Sequence, residues 1–132
     1  MPARIEIRGF LWFALVCVMG IQGCGPARMY SGPPRPPDQV AILEIGNVKL
    51  FAMDSLPVGK AGGGRIEILP GEHDLRASHN MSGFGEEVFT YTFTAEPGHR
   101  YLFDMDYKTV RTLHYRPWVK DLATGNIVGS KN

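Results

Sequence analysis

The chain has 132 residues, of which 44% are hydrophobic and 20% are charged, and its formal net charge is +1 at pH 7. This near balance of charge argues against nucleic acid as a partner, because phosphate binding needs a basic excess. The length excludes two sizeable domains.

The first residues have the order of an export signal. Arg4 and Arg8 lie in a short polar region, and an apolar run follows over residues 10–21. This run of about a dozen residues is shorter than the roughly 20 that a helix needs to cross a bilayer. We therefore expect residues 1–23 to be a cleaved signal peptide rather than a transmembrane helix.

The apolar run ends in the four residues Ile21, Gln22, Gly23 and Cys24. They resemble the bacterial lipobox, which has an aliphatic residue, a variable one, a small one and then cysteine; Gln22 departs from the usual small or apolar choice. The resemblance implies cleavage between Gly23 and Cys24 and diacylglycerol on the Cys24 thiol. Several acyl chains on one cysteine give stable anchoring, which one chain does not. The alternatives are an ordinary signal with a chance cysteine, or a buried N-terminal helix.

Cleavage at this point would leave 109 residues with 12 basic and 12 acidic side chains. Cys17 would be lost with the signal and Cys24 would be lipidated, so the mature chain would have no free thiol. A disulfide and a cysteine-ligated metal are then excluded. A core of this size must rely on apolar packing.

Residues 24–38 contain Cys24 and five prolines, with almost nothing apolar to bury. This composition predicts an extended, polyproline-like tether that holds the domain a few tens of Å from the lipid, at roughly 3 Å per residue. The alternative is a proline-rich ligand for another protein. We place the folded domain at residues 39–132.

The domain consists of short β-rich segments that are bounded by glycine, proline or asparagine. No stretch of ten residues carries a helical apolar pattern. We predict an all-β fold, a single small β-sandwich of about seven antiparallel strands. The segments are residues 39–45, 48–54, 65–69, 73–79, 87–95 and 101–107, with further strands around Trp118 and Ile127.

Two of these segments place large rings on alternate positions, and therefore on one face of each strand. If the two strands pair as a hairpin across the turn at residues 96–99, their aromatic faces coincide, and we expect the rings to pack together in the core. The alternative is a solvent-exposed aromatic platform that stacks a glycan or a lipid. Burial of the rings decides between the two. The rings are Phe89, Tyr91, Phe93, Tyr101 and Phe103.

Pro70-Gly71 and Pro97-Gly98 each come directly before a strand, where proline and glycine suit the central positions of a type II turn. A strand that ends in this way resembles PEGA-type and transthyretin-like β-domains. The stretch over residues 41–128 also resembles a set of small proteobacterial lipoproteins, which have Asp-Gly where this chain has Asp54-Ser55. The resemblance implies a fold and a location but no activity. Its marks are residues 65–73 and 95–101, Trp118, Asp121, Thr124 and Gly125.

The polar residues show no arrangement typical of catalysis or of metal binding. His73, His79, His99 and His114 have no HxH or HExxH spacing, and we expect His73 and His99 to bond turn carbonyls. The glycine-rich run at residues 59–64 lacks the rest of a phosphate loop, and no serine lies in a GxSxG elbow. We therefore predict no enzyme activity, no cofactor and no metal.

Two other features carry alternative interpretations. Asp104 and Asp106 share a strand face, which suits either a solvated acidic surface or a calcium ion. Met81 and Phe84, in the loop at residues 78–85, are predicted to be exposed and to contact a partner.

Together these features predict a membrane-anchored bacterial lipoprotein that displays a non-enzymatic β-sandwich for protein contact in the periplasm or envelope. Two alternatives stay open, a glycan- or lipid-binding module with exposed aromatics and an assembly factor of a trans-envelope secretion machine. Gly25 follows the cysteine, where an aspartate retains lipoproteins at the inner membrane of enteric-type bacteria. The outer membrane is therefore the expected location.

Overall fold

The computed structural model describes residues 25–81, 83, 85–110 and 112–132, without the side chains of residues 61, 63, 81, 107–110 and 112–114. The predicted signal peptide lies outside these residues. None of the helices in the described part has the length and apolarity to cross a membrane.

The described residues form an all-β fold with eleven strands, two short 3-10 helices and no α-helix. The 3-10 helices are Pro37–Gln39 and Gly59–Gly63. The strands are β1 Ala27–Arg28, β2 Ala41–Ile45, β3 Lys49–Met53, β4 Leu56–Pro57, β5 Arg65–Ile68, β6 Gly71–Met81, β7 Gly85–Ala95, β8 Arg100–Val110, β9 Thr112–Asp121, β10 Ile127–Val128 and β11 Ser130–Lys131.

The strands form two sheets. One has six strands in the order β1-β5-β2-β8-β9-β10, and the other has five in the order β11-β7-β6-β3-β4. The predicted number of about seven is too low, because β1, β4, β10 and β11 have two residues each and are too short to show alternation. The purely antiparallel prediction is also wrong, since β1 pairs with β5 and β2 pairs with β8 in parallel.

The hairpin that would pair the two aromatic strands does not form. β7 pairs with β6 and β8 pairs with β9, so the turn at residues 96–99 carries the chain from one sheet to the other. The backbone N–H of Gly98, at φ 79°, donates to the Val40 carbonyl at 2.7 Å, which ties this turn to the start of β2. β7 therefore pairs with the strand before it, and β8 pairs with the strand after it.

The aromatic faces nevertheless meet, because the two sheets pack against each other. Ring centroids are 5.2 Å apart for Phe93 and Tyr101, 5.8 Å for Tyr91 and Phe103, and 6.2 Å for Phe89 and Phe103. None of these five side chains is more than 5% exposed. The expected core position is confirmed, and a solvent-exposed platform of these rings is excluded because a ligand cannot reach them.

The proline-rich segment takes part in the fold. β1 lies along the edge of β5, the Met29 N–H donates to the Glu67 carbonyl at 3.0 Å, and the Tyr30 hydroxyl bonds the Glu67 carboxylate. The following residues pass across the end of β5 to reach β2 on its other side. The segment that we expected to be a tether is thus largely a connection between two strands of one sheet.

The turn between β3 and β4 supports a prediction about stability. Asp54 and Ser55 both have positive φ, 51° and 66°, which is the type I′ geometry that prefers glycine at its second central position. Ser55→Gly is expected to raise the free energy of unfolding by about 0.5 to 1 kcal/mol, because a side chain in the left-handed region is strained. Urea denaturation of residues 25–132 measures this.

Asp54→Gly is the matched control for that change. Asp54 Oδ1 accepts the Asp74 N–H at 2.9 Å, and Oδ2 lies 2.6 Å from His73 Nδ1. Relief of strain at Asp54 therefore comes with the loss of two polar contacts, and no net gain is expected. An equal gain for both variants would contradict this account of the turn.

Candidate functional site

Most of the residues that the sequence proposed for function lie outside the described residues. This holds for Gly23, Cys24 and Phe84, and Met81 is the last residue of β6 with its side chain outside the description. The His114 side chain is outside it as well.

The other three histidines lie in different places. His73 and His99 follow the two Pro-Gly pairs, whereas the His79 ring lies 5.3 Å from that of Tyr115. His73 Nε2 donates to the Leu69 carbonyl at 2.6 Å, which is the turn-carbonyl role expected for it. His99 instead contacts carboxylates.

His99 is the centre of a histidine–carboxylate cluster with Glu96 and Asp121. Its Nδ1 lies 2.7 Å from Asp121 Oδ2, and its Nε2 lies 3.4 Å from Glu96 Oε2. Asp121 ends β9 and is only 4% exposed, and its Oδ1 accepts the Ala123 N–H at 2.9 Å. The sequence did not predict this cluster, because its members come together only through the pairing of Tyr101 with Asp121 across β8 and β9.

The cluster shifts the ionisation of two of its members. The hydrogen bond to Asp121 raises the pKa of His99, partly opposed by burial and reinforced by both carboxylate charges. Burial alone would raise the pKa of Asp121, but hydrogen bonds from His99, Ala123 and Thr124 outweigh burial and lower it. The arrangement therefore favours an imidazolium between two carboxylates. It closes the turn at residues 96–99 onto the end of β9.

The same three residues are the one group of candidate metal ligands in the described part of the chain, with ligand atoms within 4.8 Å of one another. A cation would compete with the second proton of His99, because both ring nitrogens already face carboxylates. A general base needs an imidazole nitrogen with a free lone pair. Here Nδ1 is hydrogen-bonded to Asp121 and Nε2 lies within ion-pairing distance of Glu96, so a structural ion-paired cluster fits the geometry better than metal binding or general-base catalysis.

The pKa shifts predict how stability depends on pH. The raised pKa of His99 adds stability that is complete below about pH 6.5 and is lost as pH rises through the folded value. The lowered pKa of Asp121 adds stability that is complete above about pH 3.8 and is lost as pH falls through the folded value. We expect maximal stability between about pH 4 and 6.5.

Urea midpoints of residues 25–132 across this range test the expectation. His99→Gln should flatten the decline above about pH 6.5, because glutamine does not titrate. His79→Gln, at the other end of the sheets, should leave that decline in place. An unchanged decline in the His99 variant would contradict the role of the cluster.

The Asp104 carboxylate accepts hydrogen bonds from backbone N–H groups. Its Oδ1 accepts the N–H of Asn47 at 3.0 Å and that of Met105 at 2.8 Å. A Cβ on Gly46 would lie only 2.6 Å from the Asp104 carboxyl carbon, so the glycine makes room for this carboxylate. These contacts give Asp104 a local structural role in holding the β2–β3 loop.

A second candidate site is a groove of about 460 Å³ where the two sheets meet at β9, β10 and β11. We call it the seam groove. Tyr91 closes its inner side: its hydroxyl donates to the Val128 carbonyl at 2.7 Å and accepts the Val119 N–H at 3.3 Å. Its lining also includes Asp106, Tyr115, Arg116, Pro117, Trp118, Lys120, Ile127 and Lys131.

Trp118 is the chemically unusual residue of the seam groove. Its indole Nε1 is buried, and it is the one buried side-chain donor or acceptor without a hydrogen-bond partner among the described residues. The Lys120 ammonium lies 5.1 Å from the centre of the indole ring, and the exposed Arg116 is two residues before Trp118 on β9. An N–H donor beside two cations suits an acceptor that carries negative charge.

The open edge of β9 beside this groove contains Pro117. Because Val119 directs its N–H away from β8 towards Tyr91, alternation along the strand places the Pro117 nitrogen on the same open side. Proline has no N–H to offer another strand there. Recognition at this edge would therefore depend on side chains rather than on strand addition.

The geometry thus defines a small, two-sheet β-domain with a buried aromatic core, a histidine–carboxylate cluster and a groove at its seam. Comparison with known protein families, with curated proteins and with solved structures gives no match.

Proposed function

We propose that this protein is a bacterial lipoprotein, anchored through Cys24, whose β-sandwich binds an acidic segment of another envelope protein in the seam groove. The anchor is proposed from the lipobox at residues 21–24 and the export signal before it. The binding role is proposed from the groove, since the aromatic rings are core residues. The residue after Cys24 is Gly25, which favours the outer membrane.

The unpartnered indole N–H of Trp118 carries the binding proposal. A buried donor without an acceptor costs about 1 to 3 kcal/mol. Because the atom is buried, the indole must turn towards the groove for a partner to supply the acceptor, and the new hydrogen bond then recovers this energy. A carboxylate would also meet the positive charges of Lys120 and Arg116. Such a site is polar and specific, and it works by contact rather than by chemistry on a substrate.

The anchor is tested by metabolic labelling with a palmitate analogue. Wild-type protein is expected to incorporate the label, whereas Cys24→Ala is expected to lose it, because no other thiol remains after the signal is removed. Equal labelling of the two would sink the lipoprotein proposal.

The groove is tested by capture of partners from native membranes. Trp118→Phe keeps the ring but removes the N–H donor, and we expect roughly tenfold weaker capture with unchanged or higher stability of the free domain. Lys120→Gln should weaken capture as well. Lys60→Gln, on the opposite side of the domain, is the matched control and should retain capture once the membranes are solubilised in detergent, which removes the lipid surface.

A partner that all three variants capture equally would exclude the seam groove as its binding site. If the captured protein is a subunit of a secretion machine, the assembly-factor alternative is the correct description of the binding role. Cross-links from Lys120 to an acidic segment would locate the contact.

A further inference from the structure

The distance between the lipid and the domain follows from the position of β1. β1 begins at Ala27, where the chain is already paired with β5. Only Gly25 and Pro26 separate Cys24 from this paired strand. Three residues span at most about 11 Å when fully extended, so a lipidated Cys24 would hold β1 close to the headgroups. A free segment up to residue 40 would instead allow a few tens of Å.

The side of the domain that this places near the membrane is defined by the sheet orders. β10 and β11 lie together at one side because only Gly129 separates them. β1 and β4 are the opposite ends of the two sheets and therefore share the other side. The 3-10 helix Gly59–Gly63 spans the gap between them, in contact with β3 and β5. We call this side, formed by β1, β4, that helix and the first half of β3, which β4 leaves uncovered, the anchor flank.

The strand registers place Leu56 of the anchor flank close to Ala27, where the chain that follows Cys24 joins the sheet. Through β5 and β2, Ala27 is level with Tyr101 on β8. Through β3 and β6, Leu56 is level with Tyr91 on β7, whose ring packs on Phe103. Since Tyr101 and Phe103 are two residues apart on β8, Ala27 and Leu56 lie at nearly the same position along the strand direction.

The surface of the anchor flank is both apolar and basic. Leu56 is 58% exposed, the highest value among the large hydrophobic residues of the described chain. Beside it lies a groove of about 490 Å³ lined by Val48, Leu50, Phe51 and Pro57. The exposed cations Arg28, Lys49 and Lys60 make no ion pair within the part of the chain that the structure describes. Exposed apolar groups among unpaired cations suit an anionic lipid surface.

We propose that the anchor flank rests on the bilayer, with Leu56 and Pro57 among the headgroups and Arg28, Lys49 and Lys60 against anionic lipid. This rests on the proposed lipidation of Cys24. The short link and the flank act together, since a link of only Gly25 and Pro26 brings the flank to the surface and the cations hold it there. The domain therefore lies on its β1 edge, and the seam groove on the opposite side faces away from the membrane.

The chain is well suited to a direct test, because the lipidated protein has no free thiol. Ser55→Cys places a nitroxide on the anchor flank beside Leu56, and Ser130→Cys places one on the opposite side in β11, both at exposed serines. The full-length lipidated protein is reconstituted into vesicles of phosphatidylethanolamine and phosphatidylglycerol with a nickel chelate on some headgroups. We expect strong relaxation of the label at residue 55 and weak relaxation at residue 130.

Two further changes distinguish the contribution of the short link to membrane contact from that of the cations. A flexible Gly/Ser spacer of about 12 residues between Pro26 and Ala27 should weaken relaxation at residue 55. Lys49→Gln with Lys60→Gln should weaken it in anionic vesicles, by about fivefold in surface partitioning per lysine, and should have little effect in zwitterionic ones.

The experiment distinguishes failure of the membrane contact from failure of the lipid anchor. Equal relaxation at residues 55 and 130, in protein whose Cys24 lipid is confirmed by mass spectrometry, would overturn the membrane contact and leave the lipoprotein proposal intact. Protein without lipid on Cys24 would overturn both. Protection of residue 55 in native membranes but not in pure lipid vesicles would show that a protein covers the flank, which also overturns the proposal.

Discussion

Replacement of Phe103 by alanine is expected to lower the free energy of unfolding by about 3 to 5 kcal/mol. Phe103 is fully buried, and its ring contacts both Tyr91 and Phe89 from the facing sheet. Its removal leaves a cavity at the interface of the two sheets, where rings from β7 and β8 meet. Small domains have only about 5 to 15 kcal/mol of stability in total. The loss therefore threatens folding at physiological temperature.

Urea unfolding of residues 25–132 gives this difference, and Val88→Ala is the matched control. Val88 lies on β7 next to Phe89 but is 52% exposed, so its truncation is expected to change stability by no more than about 0.5 kcal/mol. Similar losses for the two variants would contradict the assignment of the ring cluster as the main core.

Gly129→Ala is the second change with a large expected effect, a loss of about 2 to 4 kcal/mol. Gly129 has φ 79° and is the residue at which the chain passes from β10 in one sheet to β11 in the other. A Cβ there would lie 2.2 Å from the Thr92 carbonyl oxygen and 2.7 Å from Phe93 Cβ. The backbone of β7 cannot move away without breaking its pairing with β6, so the C-terminal strand must be displaced.

Gly125→Ala separates the two contributions to that loss. Gly125 has almost the same φ, 76°, but a Cβ on it would meet nothing within 4 Å. Its replacement should cost about 1 to 2 kcal/mol, from backbone strain alone. The excess loss at Gly129 then measures the close approach to β7, and equal losses would rule that contact out. Because Gly129 also lines the seam groove, its alanine variant should capture less partner.

Much of the fold could be predicted from local pattern. The alternation of rings along residues 87–95 and 101–107 predicted strands with one apolar face each, and those faces are the core. Pro97-Gly98 predicted a sharp turn, and Gly98 has the positive φ that such a turn requires. The turn predicted at Pro70-Gly71 is wrong, because Gly71 is already the first residue of β6 and has φ 124°. These features depend on neighbours in sequence, so they can be identified without knowing the partner strand.

The errors concern which strands pair with one another. The strands on either side of the turn at residues 96–99 could pair as a hairpin, yet β8 lies beside β2 and β9, and β7 lies beside β6. Side-chain alternation is the same whether two strands pair in one hairpin or face each other from two sheets, because the apolar face is buried in both cases. The proline-rich segment was misread for a similar reason, since β1 is held by the edge of β5, more than 30 residues later.

The sequence by itself determined the near balance of charge and the β-rich character of the chain, and it is the basis of the predicted export signal and lipidated cysteine, because each depends on residue types and not on contacts between distant segments. Only the tertiary structure decided that Glu96, His99 and Asp121 meet. The physical reason is that the registers of β7, β8 and β9 bring these residues together across gaps in sequence. Likewise, only the pairing of β1 with β5 and of β4 with β3 shows that the first paired strand begins three residues after Cys24, on the flank that carries Leu56.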